Sequence, residues 1–99
     1  MNNFESYIQG TMPVVVEFYA DWNEACKLME PVIHEVKEIA GERAITVRID
    51  IDKNQDLVKQ YGIYTIPSVA IFKEGQIIWQ KSGITAAHEI LDHLLLEIQ

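Results

Sequence analysis

An almost unbroken apolar run, Val14-Val15-Val16-Glu17-Phe18-Tyr19, leads within a few residues into Trp22-Asn23-Glu24-Ala25-Cys26-Lys27, where a helical pattern opens. A run with so little alternation predicts a strand buried on both faces, as in the middle of a sheet. Asn23 is a good helix N-cap. Ala25, Leu28, Met29, Val32, Ile33, Val36, Ile39 and Ala40 then recur at helical spacing as far as Gly41. Pro31 inside this pattern predicts a kink. A central strand running straight into a long amphipathic helix restricts the chain to α/β arrangements. It also places Asn23 and Cys26 at a helix N-terminus, where unpaired N–H groups favour negative charge.

The remaining pattern is compatible with that frame. Asn2 to Gln9 reads as a short helix with Phe4, Tyr7 and Ile8 on one face, ended by Gly10. From Ala44 to Ile51, Ile45, Val47, Ile49 and Ile51 alternate with Thr46, Arg48 and Asp50, a strand pattern. Asn54 to Gln60 reads as a helix, Ser68 to Phe72 as a strand, and Ile77 to Ser82 as its hairpin partner across Lys73-Glu74-Gly75-Gln76. A last helix follows Gly83, with Thr85 as its cap and Ile90, Leu91, Leu94, Leu95 and Ile98 as its apolar face. The order α-β-α-β-α-β-β-α predicts one domain over residues 1–99, a four-stranded mixed sheet with helices on both sides.

Composition removes several functions. With 8 basic against 15 acidic residues the net charge is −7, which repels phosphate backbones and anionic membranes. No nucleic-acid partner is expected. No apolar run approaches a membrane span and no basic, apolar leader opens the chain, so the expectation is a cytoplasmic protein with no membrane partner. The single cysteine allows neither an intramolecular disulfide nor a zinc site built on several thiolates. His88 and His93 sit five positions apart on the last helix and point in different directions, so no metal and no other cofactor is expected.

Five separate motifs then resemble the thioredoxin family: Trp22-x-x-x-Cys26-Lys27, Tyr61-Gly62-Ile63, Ile66-Pro67, Phe72-Lys73-Glu74-Gly75 and Gly83. The resemblance implies the thioredoxin fold, a cis peptide bond at Ile66-Pro67 and membership of the thiol–disulfide, cell-redox class. The family motif reads Trp-Cys-Gly-Pro-Cys-Lys. Here Asn23 stands where the attacking cysteine belongs, and Glu24-Ala25 replace Gly-Pro. In that chemistry one thiolate attacks a disulfide and a second thiol resolves the mixed disulfide. Asn23 has no thiol and Cys26 has no partner, so this chain cannot run dithiol exchange alone.

The resemblance carries further residues. Glu17 matches a buried family acid that moves protons for the second cysteine, and Arg48 matches a lysine near that acid. Glu17 is either a surviving proton relay or half of a structural ion pair in which Arg48 holds it ionised. Trp22, Tyr64, Ile66 and Pro67 match a groove where a bound peptide pairs with the backbone before the cis proline. The acidic neighbours Glu17, Asp21, Glu24 and Glu30, with partial burial, predict a raised thiol pKa for Cys26, and its plainest role is that of a small buried hydrophobe.

Three readings follow. The first is a non-catalytic module that holds a protein or peptide client at the Trp22/Ile66-Pro67 groove. The second is a single-cysteine redox protein that forms a mixed disulfide or sulfenic acid at Cys26. The third is a thioredoxin disulfide oxidoreductase in which Asn23 is an introduced replacement for cysteine.

Overall fold

The computed structural model describes residues 3–98; Asn2, the expected start of the first helix, lies outside them. The elements are α1 (Asn3–Ile8), β1 (Val14–Tyr19), α2 (Glu24–Ala40), a tight turn (Gly41–Arg43), β2 (Ile45–Asp50), α3 (Gln55–Tyr61), β3 (Ser68–Lys73), β4 (Gln76–Ser82) and α4 (Ala87–Leu94). The sheet order is β2-β1-β3-β4. β1 pairs parallel to β2 and antiparallel to β3, and β4 closes the hairpin against β3. β1 is thus an inner strand, and its first five residues are buried.

Alternation along β1 divides the interior into two layers. Val15 faces α2 and α4, packing with Met29, Ile33, Val36, Ile90 and Leu94. Val14, Val16 and Phe18 face α1 and α3, packing with Phe4, Ile8, Leu57 and Phe72. The second layer is closed by edge-to-face rings, with Phe4 at 5.7 Å from Tyr61 and 5.4 Å from Phe72, and Tyr61 at 5.1 Å from Phe72. Each fully buried apolar side chain of this kind contributes about 1.5–3 kcal/mol, which holds the short helices α1 and α3 against the sheet.

Turns fix the ends. Gly62 ends α3 in the left-handed region at φ 65° and its N–H donates to the Lys59 and Val58 carbonyls. Glu74 and Gly75 both take positive φ, 53° and 83°, as a tight hairpin turn requires. Their N–H groups donate to the carbonyls of Gly10 and Ile8, tying the end of α1 to the hairpin.

Several expectations are corrected. In α2, which carries Pro31 within its span, only part of the expected stripe is buried: Cys26, Met29, Ile33, Val36 and Ala40 are inside, while Leu28 and Ile39 are exposed. The stripe read from the sequence is wider than the surface the sheet and α4 cover. Thr85 does not cap α4; the cap position is Ala86, and the Thr85 hydroxyl donates to the Gly83 carbonyl instead. Leu95 lies beyond the end of α4 and is exposed. β2 is one residue shorter at each end than expected, whereas β3 reaches Lys73 and β4 starts at Gln76 because the turn is only two residues long. Ile78 is the extra residue of a β4 bulge and points outward.

Candidate functional site at the carboxyl end of the central strand

The pairings Tyr19↔Asp50 and Phe18↔Ser68 put the end of β1, the end of β2 and the start of β3 at one edge of the sheet. The loops carrying Trp22, Asp52, Tyr64, Ile66 and Gly83 therefore gather there. α2 starts in this cluster. Asn23 has extended backbone, and its Oδ1 accepts the Cys26 N–H at 3.0 Å. That bond satisfies one of the unpaired donors of the first turn. The Asn23 side chain is thus engaged as a cap.

Cys26 lies beneath this cap at 3% exposure. Burial pushes its thiol pKa up; a backbone hydrogen bond at Ala20 pulls it down, the Glu17 charge pushes it up, and Arg48 pulls it down. The net direction is upward. Burial is therefore a larger cause than the acidic neighbours. Alkylation should show this directly: the Cys26 rate should rise with a midpoint above the free-thiol value of about 8.5, and a midpoint near neutrality would contradict the burial argument.

Glu17 is fully buried in β1. Its Oε1 accepts from Arg48 Nε at 2.8 Å, across the β1–β2 pair, and Arg48 lies 4.0 Å from the centre of the Tyr19 ring. The other oxygen, Oε2, is buried without a partner among the described residues. Burial raises the Glu17 pKa, the Arg48 hydrogen bond and charge lower it, Glu30 raises it, and the sum is upward. Arg48 thus pairs with Glu17 without bringing its pKa back to the ordinary carboxylate value, because one half-exposed guanidinium does not offset complete burial. A cleft of about 330 Å³ beside α2 is lined by Glu17, Arg48, Glu30, His34 and Lys37.

Trp22 is 66% exposed and Tyr64 is 90% exposed. Ile66 is half-buried, Pro67 is buried, and the bond between them is cis. Ile66 makes no backbone hydrogen bond among the described residues, and the β3–β4 ladder starts only at Ser68.

Three contacts here were not anticipated. Trp22 Nε1 donates to Asp52 Oδ2 at 2.8 Å. The Gly83 N–H donates to the Pro67 carbonyl at 2.8 Å, and the Thr85 N–H donates to Met29 Sδ at 3.4 Å. The last two place Ile84, 56% exposed, between the proline loop and α2. No spacing rule signals contacts between such distant segments. His93, weighed as a metal ligand, stacks on Trp79 at 4.8 Å. Among the described residues no group of three or more His, Cys, Asp or Glu is placed to hold a metal ion, and no helix is long and apolar enough to cross a membrane. A larger cleft, about 520 Å³, lies at the opposite end of the sheet by Pro13, Arg43 and Lys73. There Arg43 is engaged with the Ile39 and Ala40 carbonyls and Lys73 with Glu97, so the cleft offers no unpaired cation from these two.

A mixed sheet in this order, with a long helix beginning directly after the inner strand and a cis proline beside that helix start, defines a thioredoxin-fold protein. The thioredoxin family profile matches residues 1–95. A thioredoxin of Alicyclobacillus acidocaldarius is 36% identical over 81 residues, 82% of this chain and 77% of its own length. A thioredoxin-like protein of Synechocystis is 32% identical, over 93% of this chain and 89% of its own. Among solved structures, a mutant thioredoxin from Halobacterium salinarum superposes with TM-score 0.89 at 25% identity, covering all of this chain and 86% of the other. A Nicotiana alata thioredoxin gives 0.86 at 28%, covering 97% and 82%. The chain belongs to the thioredoxin family, and so to its redox class, with a single cysteine.

Proposed function

We infer that residues 1–99 act as one thioredoxin-like domain in the cytoplasm, a non-catalytic module that binds an extended peptide or protein segment at Trp22, Tyr64, Ile66 and Pro67. The observation that carries this reading is the Asn23 cap. The family's nucleophile position is filled by an amide whose oxygen already accepts the Cys26 N–H. Asn23 cannot open a disulfide, and Cys26 is a buried thiol with a raised pKa and no second thiol to resolve against. The groove needs neither sulfur. Exposed Trp22 and Tyr64 offer apolar surface, and the unbonded Ile66 backbone offers a donor and an acceptor to an added strand.

Glu17 in this reading is the buried half of an ion pair with Arg48. Its former service to a dithiol has no recipient. Reaction through Cys26 alone is disfavoured by the same burial, since a sensor thiol works as an accessible thiolate. The test is insulin reduction with a reductase and its cofactor supplied. The expected result is no turnover above the reductase background; multiple turnovers per chain would overturn the reading.

A further inference from the structure

We propose that the segment held at this surface carries a lysine or arginine next to its apolar anchor. This rests on the binding-module reading and specifies the client for the same site. Trp22 and Ile84 are exposed on neighbouring loops. The Gly83–Pro67 and Thr85–Met29 hydrogen bonds hold the Ile84 loop between the proline loop and α2. An apolar side chain of an added strand that pairs with Ile66 therefore has a surface to cover.

The charge beside that surface is one-sided. Asp52 Oδ2 binds the Trp22 indole N–H, which fixes a carboxylate at the ring. Asp50 Oδ1 holds the Asp52 backbone N–H from below. Asp21 is exposed and directly precedes Trp22. Of the nearby cations, Lys27 is paired with Glu24 at 3.1 Å. Asp21 and Asp52 are exposed at the ring, Asp50 is buried beneath them, and the exposed Lys53 directly follows Asp52. A cation on the client pairs with this flank, while a phosphorylated or acidic segment meets like charge. A second copy of the chain is the wrong occupant for the same reason, since each brings a net charge of −7.

The test uses three synthetic peptides with one shared apolar, extended core, flanked by lysine, by glutamine or by glutamate, titrated calorimetrically into the full chain. The lysine peptide should bind about 2- to 10-fold more tightly than the glutamine peptide, the range of one or two exposed ion pairs. The glutamate peptide should bind more weakly than both. The spread should narrow as salt is added, and Asp21→Asn should reduce the preference for lysine. Equal binding of the lysine and glutamine peptides, or a preference for glutamate, overturns the charge inference and leaves the groove reading standing. Failure of all three to bind overturns both.

Discussion

Glu17→Met should raise stability at neutral pH, toward the lower end of the about 1–4 kcal/mol seen when buried ion pairs are replaced by apolar groups. The carboxyl is fully buried, one oxygen has no partner, and its pKa is raised despite Arg48. A group whose folded pKa exceeds its unfolded one contributes stability that is complete below the unfolded value. That contribution fades as pH rises through the folded value. The native chain should therefore lose stability as pH climbs from the ordinary carboxylate range through the raised Glu17 pKa, and Glu17→Met should lack that component. Arg48 tolerates the loss because its side chain is 43% exposed and still lies over Tyr19. Urea unfolding across pH measures both effects. A less stable variant, with the native chain gaining rather than losing stability as pH climbs through the carboxylate range, would mean that the ion pair outweighs the cost of burying it.

Asn23→Cys should restore measurable disulfide reduction. The introduced thiol would stand at the cap, within reach of the Cys26 N–H that Asn23 now binds. A helix N-terminus that lowers its pKa from about 8.5 to about 7 raises the thiolate fraction at pH of about 7 roughly fifteenfold. Cys26, three residues on, becomes the resolving partner. The gain in insulin reduction over the native background should be at least that large. Glu24-Ala25 lies between the two positions, so the potential of the resulting pair is free to differ from that of a thioredoxin. A variant that forms its disulfide yet reduces nothing would show that more than the first sulfur has been lost.

What the sequence carried well was local. Val14–Tyr19 is apolar nearly throughout because β1 lies between β2 and β3 and is covered on both faces. The alternation from Ile45 to Asp50 and the Asn23 cap are likewise short-range patterns with a single physical cause. The stripe on α2 was legible in direction and not in width: Leu28 and Ile39 fit its period, yet they fall beyond what the sheet and α4 cover. Thr85 has good capping chemistry, but its hydroxyl turns back to Gly83 and its N–H reaches Met29. The Trp22–Asp52 bond spans thirty residues and has no periodic trace. For Glu17, pairing with Arg48 was expected, whereas the balance between burial and pairing depends on exposure, which no spacing encodes.

The central claim is a surface that binds without thiol chemistry. Its most direct test is a calorimetric titration of an extended apolar peptide, whose one cysteine is capped as a disulfide with a small thiol that exchange would release, into the native chain and into Cys26→Ala, with and without reductant. Intact masses would be read at the end of each run. The account predicts the same affinity in all four titrations and no covalent adduct. Binding that disappears in Cys26→Ala, or an adduct on the native chain that reductant removes, would contradict it.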